Sequence, residues 1–264
     1  VAAFALYLVA RDQWSERVAR RAVVLFTFGP YGVFLVASYS ESLYLACALS
    51  AWFACRRRAY AVAGVLAAFS SFTRVTGLML VPALVLMCLQ QERGRPVAVV
   101  VRRCLAVTTG LLGGGAYLVW LAVRTGSAMA WFDSQRTFWH RRTRWPWETL
   151  YRQLIHVVRE PQLDWQVQAV LELAFAGLVV VGIAVLVKRR LWPEAVLVGL
   201  VAASLMTSNS YLSLARSTIT MFPLFVLLGR ESLGRAWLYR LALCLSLVLL
   251  VFNSIQFALG HWAD

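Results

Sequence analysis

The feature that most constrains this chain is its alternation of apolar runs with short clusters of basic residues. Apolar runs occupy roughly 1–10, 22–39, 42–55, 59–72, 75–89, 104–123, 166–187, 191–207, 217–229 and 239–258. Between them stand Arg11/Arg17/Arg20/Arg21, Arg56/Arg57/Arg58, Arg93/Arg95/Arg102/Arg103, Lys188/Arg189/Arg190 and Arg230/Arg235/Arg240. A bilayer core of about 30 Å takes about 20 apolar residues as helix, and basic residues collect in its cytoplasmic loops. If all five clusters are cytoplasmic, each intervening stretch crosses an even number of times, and the runs allow that. The expectation is an all-α, polytopic transmembrane protein with about nine complete crossings, a truncated first helix and the C-terminus outside. It is expected to form a single transmembrane domain over 1–264.

Composition agrees. Of the 264 residues, 61% are hydrophobic and 14% charged, against about half and a quarter in a soluble domain. That excludes a disordered chain, a nucleic-acid-binding domain and a disulfide-rich module. The net charge of +14 reads as topology signal, so no nucleic acid is expected as partner. Lys188 is the one lysine, an arginine bias that suggests a GC-rich, bacterial source. The five cysteines lie in apolar runs without metal-ligand or disulfide spacing, and read as small hydrophobes. His140, His156 and His261 are dispersed, so no metal site is expected.

Two stretches depart from plain spans. Run 59–89 must cross twice in 31 residues, as two short arms meeting at Thr73-Arg74-Val75-Thr76-Gly77. Such a junction inside the membrane depth is tolerated only where it lines a protein cavity or wet cleft. The second is the loop at about 124–165, expected outside, with five tryptophans and seven arginines.

Four places hold candidate chemistry. Glu41, in Tyr39-Ser40-Glu41-Ser42, is the one acidic residue between Glu16 and Glu92. It reads either as a solvated turn carboxylate beside a helix-capping serine, or as a carboxylate at a cavity mouth that orients a hydroxyl or acts as base. Arg74 stands amid apolar neighbours, where a charge is costly unless paired or hydrated. It is either a phosphate ligand, to which a guanidinium fork is suited, or half of an ion pair with Glu41. Arg216, in Ser213-Leu-Ala-Arg216-Ser217, is a snorkelling arginine or a second phosphate contact. The loop Ala130–Trp147 offers Asp133 and Trp139 among stacking aromatics, or is an interfacial amphipathic helix. Gly113-Gly114-Gly115 reads as close helix packing.

The run Ala37-Ser-Tyr-Ser-Glu-Ser-Leu-Tyr44, followed by Ala67-Ala-Phe-Ser-Ser-Phe-Thr73-Arg74-Val-Thr-Gly77-Leu, resembles the PIG-V type mannosyltransferases, membrane glycosyltransferases of the GT-C superfamily. Trp131, Trp139 and Pro146-Trp147, then Ser213–Arg216, Phe222-Pro223-Leu-Phe225, and Phe257 with Trp262-Ala263, fit the same pattern in the same order. The resemblance implies inverting transfer of mannose from a polyprenyl- or dolichyl-phosphate donor to a lipid or glycan acceptor on the non-cytoplasmic face, without a cofactor. It places the acidic base in a first outer loop, which would lie upstream of Val1. Tyr39, Ser40, Ser42, Thr73, Arg74, Thr76, Gly77, Asp133, Trp139 and Arg216 are then expected at the substrate, with Glu41 as the catalytic candidate in hand. The alternative from another class is a transporter or lipid flippase, which also uses short helices and intramembrane charge.

Overall fold

A computed structural model describes residues 1–139 and 141–260. His140 and residues 261–264, hence His261, Trp262 and Ala263, lie outside the described residues. The fold is all-helical. Its first pair is α1 (Ala2–Gln13) and α2 (Glu16–Thr27), joined by a tight turn in which Ser15 Oγ accepts from Val18 N at 3.4 Å. Then come α3 (Glu41–Arg56), α4 (Tyr60–Thr73), α5 (Thr76–Gln91), α6 (Val97–Thr108) and α7 (Leu111–Thr125). Two helices follow in the loop, α8 (Ala130–Thr137) and α9 (Pro146–Arg159). The last group is α10 (Leu163–Lys188), α11 (Trp192–Met206), the single turn α12 (Leu214–Ser217), α13 (Pro223–Glu231) and α14 (Ala236–Ala258).

Val97–Thr125, Leu163–Lys188 and Ala236–Ala258 are long and apolar enough to cross a membrane; Tyr60–Thr73, Thr76–Gln91 and Trp192–Met206 are shorter apolar helices. At 1.5 Å per residue a 14-residue arm such as α4 is about 21 Å long, so α4 and α5 are short arms. The run 22–39 is not one helix. It leaves α-helical geometry after Thr27, where Gly29 and Pro30 intervene, and resumes only as a 3-10 turn at Gly32–Leu35. Proline lacks the N–H a helix interior needs, and a Cβ on Gly29 would lie 2.8 Å from the Leu25 carbonyl oxygen. The run 217–229 is likewise divided, into a 3-10 turn at Thr218–Thr220 and α13, which starts at Pro223.

Contacts between the helix ends fix the direction of each. At one end Asp12 takes Arg56 Nε at 2.9 Å, Glu92 pairs with Arg103, and Glu231 takes Arg189 Nη2 at 2.9 Å. The Arg230 guanidinium lies 3.8 Å from the Trp14 ring centroid, and Arg21 donates to the Ser232 carbonyl. Members of all five basic clusters therefore gather at one end of the bundle, the basic end. At the opposite end Glu41 meets Arg74 and Arg216, and the Phe257 ring packs on Phe34 and Tyr39 at 5.7 and 6.1 Å.

The core between the ends is apolar and close-packed. Trp52 meets Phe222 edge-on at 5.2 Å and Phe26 meets Phe225 at 5.4 Å. Small residues bring α4 against α6 and α7: a Cβ on Gly64 would strike the Ala106 carbonyl oxygen, and one on Gly113 the Ala68 carbonyl oxygen. The outward sides of α7, α10 and α14 carry exposed apolar residues such as Val119, Val181 and Val248. No water-soluble globule leaves whole helix faces so; this is an integral membrane protein.

Candidate functional site

The site is built around one buried carboxylate. Glu41 opens α3, where the helix dipole favours a negative charge, and it is 1% exposed. Its Oε1 takes Arg74 Nη1 at 2.8 Å, Arg216 Nη2 at 2.6 Å and Arg216 Nε at 3.0 Å. Its Oε2 is buried without a hydrogen-bond partner. One carboxylate thus holds two guanidiniums from distant parts of the chain, Arg74 and, 175 residues on, Arg216.

Each arginine is fixed by local structure. Arg74 is the extended residue between α4 and α5, and its Nη1 also donates to Ser40 Oγ at 3.1 Å. The junction is tight because Gly77 N donates to Arg74 O at 2.9 Å, and a Cβ on Gly77 would sit 2.5 Å from the Ser70 carbonyl carbon. Arg216 is carried by α12, which follows Ser213 in the left-handed region at φ 68°. Its guanidinium lies 4.0 and 4.5 Å from the ring centroids of Phe34 and Tyr39, within cation–π range.

These groups open on a cleft of about 910 Å³. Tyr39, Ser40, Thr73, Arg74, Thr76, Trp139 and Arg216 line it, so seven of the residues singled out in the sequence share one wall system. Glu41 stands behind that wall. Ser42 and Gly77 do not line the cleft, and Asp133 is exposed on α8, whose Trp131 and Gln135 do line it. The capping serine that the sequence suggested is not found: Ser40 holds the N-cap position without a side-chain hydrogen bond to the helix, and Ser42 lies inside α3. The segment after α8 supplies Arg141 and Arg142. It is held against the loop after α11 by Arg144 N donating to Thr207 O at 2.7 Å. Among the described residues the cleft is lined by four arginines and by no aspartate or glutamate, with Phe72, Met79, Tyr117 and Phe257 as apolar walls. Such a lining suits an anion that carries an apolar tail.

Sequence reasoning overlooked Gln153 and Glu172, 4% and 2% exposed. Gln153 Nε2 donates to Ala169 O at 3.1 Å, and Glu172 Oε2 accepts from Ala215 N at 2.8 Å. The signal was present: Glu172 is the one acidic residue in the run 166–187, and an ionisable group in a span marks a site.

Residues 1–94 match the family model described as mannosyltransferase (PIG-V), a match in keeping with a PIG-V type family member. It takes in both N-terminal motifs, with Tyr39–Tyr44 and Ala67–Leu78, and ends before the loop tryptophans and Arg216. No curated protein and no solved structure matches the chain.

Proposed function

We propose that this chain is a membrane mannosyltransferase of the GT-C kind, which moves mannose from a polyprenyl-phosphate donor to a hydroxyl of a lipid or glycan acceptor. The observation that carries this reading is the arginine-lined cleft, to which the segment that matches the mannosyltransferase family contributes Tyr39, Ser40, Thr73, Arg74 and Thr76. Arg74, aided by Arg216, binds the donor phosphate, while the apolar wall of Phe72, Met79 and Tyr117 takes the first part of the prenyl chain. The acceptor oxygen attacks the anomeric carbon from the face opposite the phosphate. The bond between that carbon and the phosphate oxygen breaks, and the polyprenyl phosphate leaves with the electron pair. Negative charge grows on the phosphate as that bond opens, so preplaced guanidiniums stabilise the transition state more than the ground state.

The acceptor proton passes to a base. With Oε1 shared by two arginines, Glu41 serves better as the group that positions them, and the base stands elsewhere than in the described cleft lining. The cleft faces the non-cytoplasmic side of the membrane, in agreement with the gathering of the basic clusters at the other end. The arginine bias favours a bacterial plasma membrane.

The test is transfer in reconstituted vesicles that hold mannosyl-phosphoryl-polyprenol and a membrane glycolipid extract. Wild-type protein is expected to release polyprenyl phosphate and mannosylate the extract. Because a charge-assisted hydrogen bond is worth about 1.5–3 kcal/mol, Arg74→Ala should slow transfer about ten- to hundredfold. Transbilayer movement of the donor without any transfer would replace the enzyme by a flippase.

A further inference from the structure

The loop 207–213 has two faces. Thr207, Ser208 and Ser213 line the arginine cleft, while Asn209, Ser210 and Leu212 line a second cleft of about 750 Å³ between α9 and the first turns of α10. The two differ in charge. Glu148, Glu160 and Glu172 accompany Arg152 and Arg159 in the second cleft, whereas the first has four arginines and no described carboxylate. Glu148 is paired with Arg144 and Arg152, and Glu160 with His156, so the second cleft is close to balanced in charge and suits a neutral ligand rich in hydroxyls better than a phosphate.

The rest of the lining fits the same class. Tyr151 and Trp165 stand there 65% and 40% exposed, and the C–H face of a sugar ring packs well on such aromatic faces. Gln168 lines the cleft, and its amide nitrogen is buried without an acceptor. The floor is rigid. Gln153 ties α9 to α10 and accepts from Tyr211 N at 3.3 Å. Glu172 holds Ala215 N, the residue before Arg216, and so joins this cleft to the donor site.

We infer that the second cleft is a saccharide site, which binds the neutral glycan part of the acceptor through stacking on Trp165 and Tyr151 and a hydrogen bond from Gln168. Saccharide binding stands by itself; its assignment to the acceptor rests on the proposed transferase reading. The test uses the full chain in lipid nanodiscs, with an α-linked mannose disaccharide as one probe and polyprenyl phosphate as the other. Saturation-transfer NMR is expected to show the disaccharide bound by wild type and by Trp165→Phe. Trp165→Ala and Gln168→Leu should each weaken it roughly fivefold, as loss of one stacking face or one hydrogen bond implies, with melting temperature unchanged. Arg74→Ala should leave disaccharide binding intact while it loses polyprenyl phosphate. Absence of disaccharide binding in folded wild type, or unchanged binding in both Trp165→Ala and Gln168→Leu, overturns the site. Polyprenyl phosphate that binds equally well to Arg74→Ala overturns the donor reading instead and leaves the saccharide site standing.

Discussion

Glu41, Arg74 and Arg216 form a triad, and that changes what single substitutions report. In a simple pair, removal of either partner strands a buried charge. Here Arg74→Ala leaves Glu41 with two hydrogen bonds from Arg216, so the expected loss of stability is small and the loss of transfer can be read directly. Glu41→Ala leaves two guanidiniums facing each other, and breaking a buried ionic contact in this way costs about 3 kcal/mol or more. In detergent the melting temperature should therefore fall in the order wild type, Arg74→Ala, Glu41→Ala. The Arg74→Ala/Glu41→Ala double should recover only part of the loss, because Arg216 still loses the carboxylate that accepts from its Nε and Nη2; equal melting of the two singles would contradict the triad. At the basic end Glu92 behaves differently. The Tyr60 hydroxyl at 2.6 Å, and then Arg103, hold its carboxyl below its ordinary 4.5 against the opposing effect of burial. A folded carboxyl with a lowered pKa contributes stability that is present above pH 4.5 and is lost as pH falls through the lowered value. Melting curves of wild type should decline across that acid range, and those of Glu92→Gln should start lower and decline less.

The elements were legible to the extent that apolar runs and punctuation report them. The two arms that meet at Arg74, the long helices α10 and α14, and the tight packing at Gly113 follow from run length, charge placement and small residues. The break after Thr27 was written in Gly29 and Pro30, yet the hydropathy of run 22–39 hid it, since an apolar loop enclosed by α14 and α3 scores like a span. The meeting of Arg216 with Glu41 was not legible, because nothing local links residues 175 positions apart. The Gly113 packing gives an internal control. A Cβ at Gly113 meets backbone of α4, which cannot move aside, whereas a Cβ at Gly115 meets nothing within 4 Å. Overpacking of a tight contact costs roughly 1–3 kcal/mol, so Gly113→Ala should melt well below wild type. Gly115→Ala should melt at or above it, since alanine is the better helix former. Similar melting of the two variants would show that α4 and α7 are not packed through Gly113.

At the scale of the whole molecule, the chain separates its charges by function. Its basic clusters tie the helix ends together at one end through Asp12, Glu92 and Glu231, while the arginines of the cleft stand at the other. The helices fix the distance between these ends: α3 alone, with 16 residues, separates Glu41 from Arg56 by about 22 Å. Arginine clusters next to spans orient a membrane protein with the clusters in the cytoplasm, so the cleft end is expected on the outer side. Single cysteines placed in a background without the five native ones can read this directly. Arg57 has 61% of its side chain exposed at the basic end, and Arg136 is exposed on α8 at the cleft end. In right-side-out vesicles a membrane-impermeant maleimide should label Arg136→Cys at once and Arg57→Cys only after permeabilisation. Both labelled from one side would break the two-ended architecture itself. Labelling with the sides exchanged would keep that architecture and place the cleft in the cytoplasm, where a donor carried on the outer leaflet could not reach Arg74.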